Sequence, residues 1–459
     1  MSDFLFDEFN EVSAKQWRQK IQYELKGADY NDTLIWQSNE GIHVKPFYHQ
    51  DDVKTEFPPI PGQPKSWQIG QQVFIDDVVI ANKLALEAIE RGADSITFLA
   101  EKEFHIETIF KSFPFSTTPI YFEFTFLSEE FFNRLQRFLS IQKAQAYYNI
   151  DIIGNLVRTG NWFYNLRKDH QILEQIFAKN PSEKIISVDT TIYQNAGANM
   201  VQQLAYGLAH ANEYLNHFCN DKPEIKDNFL ITFQVATGSN YFFEIAKLRA
   251  FRKLYAALAK AYAISETCHI VARPSKRNKT LYDYNVNILR TTTESMSAIL
   301  GGANTIINLP YDAIYHKSNE FGERIARNQL LILKSESYFD MVRNPADGSY
   351  YIEALTQELA EKALQLFKEI EKGGGLLPLL KEGTIQRKIQ ESAQKEQQQF
   401  DGGKLILIGT NKHLNSNDRM KDNLELYPFL KIKNRKTIIP PIVERRLAEK
   451  IEQDRLKSE

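Results

Sequence analysis

The sequence is poor in cysteine: its 459 residues include only Cys219 and Cys268. These two form no CxxC pair, which excludes a disulfide framework or a cysteine-rich metal site. Both read as plain buried thiols of a protein at home in a reducing cytoplasm. An excess of charge is also lacking. Lys and Arg total 56 against 58 Asp and Glu, leaving a net charge of −2, and a dedicated nucleic-acid binder would show a basic surplus. No apolar run reaches the roughly 18 residues of a membrane span. The opening MSDFLFDEFN is acidic and has no basic stretch leading into an apolar one, so neither a secretory signal nor a transit peptide is expected. Familiar catalytic signatures are missing as well: GxSxG, the P-loop and GxGxxG do not occur. The nine histidines include no HxH or HExxH pair. His210 and His217 lie two helical turns apart, too far to share one ion, so no metal is expected.

What is present is an ordinary globular mix, 43% hydrophobic and 25% charged, with 30 Phe and 21 Tyr placed inside apolar runs. Residues 1–64 form a first segment. In it, EVSAKQWRQKIQYELK has the spacing of an amphipathic helix, DTLIW and GIHVKPFY are short extended runs, and FPPIPGQP places four prolines in eight residues as a stiff connector. Residues 65–375 then alternate between β-rich runs and helical patterns. The runs are 71–75, 95–100, 120–126, 147–153, 185–192, 229–236, 268–275 and 305–310. Eight such units predict an α/β fold, a closed (β/α)8 TIM-type barrel. An open doubly wound sheet is the alternative, but it would usually carry glycines in its first turn, and IDDVVIANK has none. Residues 376–459 read as a C-terminal helical extension. It has a polar helix at 386–400, a short strand at GKLILIGTN, and a charged, solvated or partner-facing last helix at VERRLAEKIEQDRLKSE.

A barrel carries its chemistry at the C-terminal ends of its strands. There the sequence offers Thr190 to Ala198, then Thr237 to Asn240, Arg273, Ser275, Tyr311 and Asp312, which are polar but chemically mild. No strand end carries a histidine, and no single strand-end motif pairs two carboxylates. Asn240 is placed to cap a core helix in which Glu244, Lys247 and Arg249 form ion pairs. Arg324, Arg327 and Asn328 read either as a solvated turn or as contacts to an anionic group at the barrel top.

Several long motifs carry a resemblance: TTIYQNAGANMVQQLA, TGSNYFFEIAKLRAFRKLY, YNVNILRTTTESMSAILGGANTI, LPYDA, RIARNQLLILKSES and NPADGSYYIEALTQELA. The chain resembles the barrel domain of the methylmalonyl-CoA mutases over roughly residues 10–415, and its early stretch is most similar to the small (beta) subunit of the two-chain enzymes. The resemblance implies an adenosylcobalamin-dependent isomerase. In that reaction the adenosyl radical removes a substrate hydrogen, and methylmalonyl-CoA and succinyl-CoA interconvert. Catalytic members thread coenzyme A along the barrel axis and stack a flavodoxin-like cobalamin domain on the barrel top.

The departures from that pattern shape the expectation. The cobalt-ligating DxHxxG does not occur in this sequence, and the residues after GTNKH are too few for a cobalamin domain. Against the family's GYHMQEAGA this chain has TTIYQNAGA, so Ile192 stands at the histidine position and Asn195 at the glutamate. Against RPWTIRQYAG it has KSWQIGQQVF, so Lys65 and Gly70 replace the two arginines. The family's GTIQNDILKE is reduced to YNIDIIGN. Gln194, Asn240, Arg290, Arg327 and Asn328 are retained as vestigial substrate-binding candidates, beside Trp67, Thr291, Gly197 and Gly301 as scaffold. The resemblance therefore implies a non-catalytic structural subunit whose residues 1–64 wrap a large (alpha) catalytic subunit that holds the adenosylcobalamin. Two other readings are a catalytic barrel served by a cobalamin domain on a separate chain, and a non-enzymatic acyl-CoA-binding module. No nucleic acid and no membrane enters any of the three.

Overall fold

The computed structural model describes residues 8–52, 57–180, 184–219, 229–430 and 435–459. Eight parallel strands close into a barrel: β1 Gln68–Phe74, β2 Ser95–Ala100, β3 Ile120–Phe124, β4 Ala146–Ile150, β5 Lys184–Asp189, β6 Thr232–Thr237, β7 His269–Pro274 and β8 Thr305–Ile307. They pair in chain order, and β8 closes on β1 through Thr305–Gln68 and Ile307–Gly70. The open doubly wound alternative is thereby set aside. Such strands are buried on both faces, which is why they read as short apolar runs with little alternation. The outward residues Ile69, Ile96, Phe98, Ile120, Phe122 and Ile270 join one large core beneath the helices.

The helices are α1 Ala14–Glu24, α2 Val78–Glu90, α3 Glu129–Ile141, α4 Leu166–Lys179, α5 Met200–Cys219, α6 Tyr241–Ala261, α7 Val286–Leu300, α8 Glu320–Leu331, α9 Tyr350–Lys372, α10 Thr384–Asp401 and α11 Glu449–Ser458, with short helical turns besides. Local chemistry starts several of them. Asp77 accepts from the backbone N–H groups of Val79 and Ile80, Ser128 from Phe131 and Asn165 from Lys168, each satisfying donors that a helix start leaves open. Helix α6 is the core helix expected, with a Glu244–Lys247 pair at 2.5 Å and Arg249 held by Asp347 and Glu353. Both cysteines are buried, and neither is in a disulfide.

The root of the arm lies on its own barrel. A short antiparallel pair, Trp36–Gln37 with His43–Val44, carries Trp36 edge-on to Phe243, and Tyr48 packs on Tyr351. By contrast, α1 buries no residue at all.

Beyond α10 the structure corrects three expectations. GKLILIGTN forms no strand, only an isolated bridge between Ile408 and Lys412, because a closed barrel leaves no edge for it to extend. The last helix begins at Glu449, and residues 438–447 run extended across the barrel top as a strap. In the strap, Ile438 N–H donates to Gly160 O at 2.9 Å, Ile442 to Val157 O at 2.9 Å, Arg445 to Asn195 O at 3.0 Å and Leu447 to Arg277 O at 2.9 Å. Nor is α11 solvated throughout. Glu452 is fully buried, paired with Arg446 at 2.7 Å and accepting from Leu281 N–H at 2.8 Å. No helix among the described residues is long and apolar enough to cross a membrane.

Candidate functional site at the barrel mouth

The inward face of the barrel is closed from below. Tyr121 of β3 and Tyr147 of β4 stack with ring centroids 4.5 Å apart, and Val271 and Ile307 join them in a small cluster separate from the main core. The Tyr121 hydroxyl lies 2.9 Å from His269 Nε2 and 2.9 Å from Thr305 Oγ1. Burial, with help from the charges of Lys184 and Arg252, brings the His269 pKa down to about 3, so its ring is neutral. Gly70 lies within this plug: a Cβ there would stand 2.7 Å from Ile307 Cγ1 and 3.0 Å from Thr305 Cγ2. No longer side chain fits at Gly70 while Ile307 stays in place.

Above the plug is a cavity of about 520 Å³ at the C-terminal ends of the strands. Three of its basic side chains, Arg273, Arg158 and Lys276, are matched by acids of the same chain. Arg273 of β7 donates to Gln72 Oε1 at 3.1 Å and is ion-paired with Glu123 of β3. Arg158 pairs with Asp189 at 2.5 Å, and Lys276 faces Glu444 of the strap at 3.7 Å. Asp151, at the end of β4, is the hub of the deepest network. One oxygen accepts from His210 Nε2 at 2.9 Å, Tyr214 OH at 2.7 Å and Gly154 N–H at 2.7 Å, and the other from Asp189 N–H at 2.9 Å. Burial alone would raise the Asp151 pKa, but the His210 contact and the backbone donors outweigh it and hold the carboxyl below its usual range. The histidine lining this mouth, His316, has Nδ1 3.2 Å from Asp312 and Nε2 3.1 Å from Asn423. Both of its ring nitrogens are engaged. No group of three or more His, Cys, Asp or Glu among the described residues could hold an ion.

The candidate residues read from the sequence are dispersed. Ile192 sits on the short helix Thr191–Asn195, 1% exposed and packed into the main core, rather than on the wall of the mouth. Asn195 does line the mouth, where its side chain accepts from Lys276 N–H at 2.9 Å and donates to Glu444 at 3.3 Å. Gln194 accepts from Ser275 Oγ at 2.9 Å and faces a different cavity, as does Asn240. Asn240 holds the N-cap position of α6, but its side chain makes no capping bond. Arg290 is spent on Thr280, Asn287 and the carbonyl of Ile408. Arg327 lies inside α8, neither in a turn nor at the barrel top. It donates to Arg91 O at 3.1 Å and Gln71 Oε1 at 3.1 Å, while Arg324 pairs loosely with Glu320 at 3.9 Å. Asn328 is exposed on the same helix, and Lys65 is exposed ahead of β1. The carboxylate pair Asp151 and Asp189 escaped the sequence reading because its members end different strands. The cue was present, since each is the last polar residue of an apolar run.

Relatives give this geometry its context. A family profile described as methylmalonyl-CoA mutase matches residues 131–452. The chain belongs to the methylmalonyl-CoA mutase family. It is 33% identical to the methylmalonyl-CoA mutase small subunit of Porphyromonas gingivalis, over 92% of this chain and 73% of that protein. It is 26% identical to the methylmalonyl-CoA mutase small subunit of Streptomyces virginiae, over 83% of this chain and 67% of the other. The methylmalonyl-CoA mutase of Rhizobium meliloti is 26% identical over 91% of this chain, which spans 66% of that protein's length. Within the methylmalonyl-CoA mutase family, then, this barrel combines a packed Tyr121–Tyr147 cluster on its inward face with a mouth whose two arginines are ion-paired within the chain.

Proposed function

We propose that this chain is the small, structural subunit of a heterodimeric adenosylcobalamin-dependent methylmalonyl-CoA mutase. The isomerisation of methylmalonyl-CoA to succinyl-CoA takes place on a large (alpha) catalytic subunit. The observation that carries this reading is the Tyr121–Tyr147–Ile307 plug, which fills the axis along which an acyl-CoA would have to thread. The closed ion pairs of Arg273 and Arg158 support it, since an arginine held by its own chain's carboxylate is not free to orient a substrate carboxylate or phosphate. The residues at the mouth do not fit a corrin. The lining imidazole His316 is engaged at both nitrogens, and the strap overlies the β4 to β7 side of the barrel top. The adenosylcobalamin is accordingly assigned to the partner chain.

In this reading residues 1–64 are the partner-wrapping arm, 65–375 the barrel and 376–459 the extension. Ile192, Asn195, Lys65 and Gly70 are positions from which reactive groups have been lost. Gln194, Asn240, Arg290, Arg327 and Asn328 persist as vestigial substrate-binding positions. The arm tip suits a partner: no residue of α1 is fully buried on its own chain, and Trp17 and Tyr23 stand exposed on it. The test is to assay the purified chain with methylmalonyl-CoA and coenzyme B12, alone and with the large subunit. No turnover alone, and co-elution as a 1:1 complex with turnover, is expected, in line with a heterodimer. Turnover by the lone chain, or by the chain supplied only with a free cobalamin domain, would overturn the proposal.

A further inference from the structure

A second cavity of about 520 Å³ lies off the barrel axis, roofed by parts far apart in sequence. The arm contributes Trp36 and Glu40, the loops after β5 and β6 contribute Gln194 and Asn240, and the C-terminal extension contributes Gln399 and Leu407. Its floor holds unspent hydrogen-bonding capacity. Gln194 is about nine-tenths buried, and its oxygen accepts from Ser275, while its Nε2 has no partner among the described residues. A Cβ on Gly238 would lie 3.4 Å from that nitrogen and 3.3 Å from Glu244 Oε1. The glycine therefore leaves the Gln194 donor uncovered, beside a Glu244 Oε1 that accepts from Gly238 N–H at 2.8 Å and has one lone pair left. The Asn240 side chain, one donor group and one acceptor, makes no cap bond.

The charges decide what kind of molecule suits this floor. Glu244 is tied to Lys247 at 2.5 Å, and Arg277 to Glu396 at 2.5 Å. Glu40 has no ion-pair partner among the described residues, and burial raises its pKa. Lys404 lines this cavity as an exposed residue with no ion pair among the described residues, so a phosphate or free carboxylate on the floor would meet Glu40 and the buried Glu244 with its one unpaired cation on a solvent-exposed side chain. At the rim Trp36 is half exposed and offers an indole surface beside all this polarity. Small-molecule sites typically span about 300–1,000 Å³, with a few convergent polar groups fixing orientation.

We propose that this cavity binds a neutral, hydroxyl-rich ligand, a monosaccharide or related vicinal polyol. Its hydroxyls bridge Gln194, Glu244 and Asn240, and its apolar ring face rests on Trp36. The occupied site ties the arm and the C-terminal extension to the barrel, so the ligand stabilises the arm's root against opening. The inference is independent of whether the barrel mouth is catalytic.

The test uses the full chain and saturation-transfer NMR with D-ribose, D-glucose and, as the cationic alternative, putrescine; inorganic phosphate, the anionic alternative, is read by the broadening of its 31P line. The expected result is saturation transfer to the sugars, none to putrescine and no broadening of the phosphate line. Asn240→Ala should weaken sugar binding about tenfold, the loss of roughly one well-made hydrogen bond. Its melting temperature should stay at the parental value, because the Asn240 side chain makes no cap bond in the free protein. Amide exchange over residues 36–44 should slow when sugar is present. Absence of sugar binding at millimolar concentration, binding of phosphate or putrescine instead, or parental sugar binding by Asn240→Ala would each overturn the proposal.

Discussion

Acid should weaken the barrel through one buried imidazole, and the size of the effect follows from the structure. His269 has a pKa of about 3 in the folded protein, chiefly because it is buried, against about 6.5 in an unfolded chain. Its pKa is depressed, so the unfolded state binds the proton more readily at every pH between these two values. The associated stability is fully present above about pH 6.5 and is lost progressively as the pH falls towards 3. Linkage over this window gives a loss of about 2 kcal/mol between pH 7.5 and pH 5, and more below. The perturbation is His269→Gln, which removes the titrating group and keeps an amide that can accept from Tyr121. Urea unfolding of parent and variant at pH 7.5, 6 and 5 isolates the effect, because every other titrating group cancels in the difference. The gap between the two proteins should shift by about 2 kcal/mol in the variant's favour across that range. A pH-independent gap, or an imidazole resonance titrating near 6.5 in the folded protein, would show that His269 is not sealed in the plug.

Ile192→His should yield no isomerase activity in the lone chain and should cost about 2–4 kcal/mol, since it exchanges a core side chain for a buried polar ring without a partner; coenzyme B12 turnover and denaturant unfolding read the two parts. Gly70→Ala should destabilise by about 1–3 kcal/mol through the clash with Ile307, and Ile307→Ala in the same chain should relieve part of that cost, as a double-mutant cycle measures. Arg446→Ala leaves Glu452 buried without its ion pair, so a loss of about 3–5 kcal/mol is expected, with the C-terminal strap becoming the first site of limited proteolysis. Asp151 adds a second acid-sensitive step. Its pKa is depressed, so its contribution is present above the unfolded carboxylate range near pH 4 and fades only as the pH falls below that. Asp151→Asn should remove this low-pH step while leaving the His269 step unchanged.

The barrel itself was legible because each strand is a short run buried on two faces, and β2 occupies the very span read from SITFLA. Strand ends were less legible. The run at 185–192 was read as one strand, but the chain turns after Asp189, whose carboxylate accepts from Thr191 N–H at 2.9 Å and Thr191 Oγ1 at 2.5 Å. A side-chain clamp of that kind leaves no trace in hydrophobic periodicity. The extension was misread for a related reason. Its charged residues suggest solvation, yet Arg446 and Glu452 neutralise each other beneath the strap, a pairing that only tertiary structure reveals. The mouth networks were hidden because they join β3 to β7 and β4 to β5, and a linear reading weighs each strand end separately. Aligned family motifs pointed to Ile192 and Gly70, whereas the tyrosine stack that blocks the axis came from inward positions of β3 and β4 that no motif covered.

The exposure of α1, which touches its own chain only lightly, through Trp17 on Phe47, Arg18 on Tyr30 and Ala14 N–H on Asp51, has a consequence for following assembly. An isolated helix of eleven residues is marginal in water, even with the reciprocal Ser13–Gln16 cap seen at its start. Its helical content is therefore a built-in gauge: free protein should fray there first, and the Trp17 fluorescence and amide signals of those roughly three turns should sharpen only when another surface comes to lie against them.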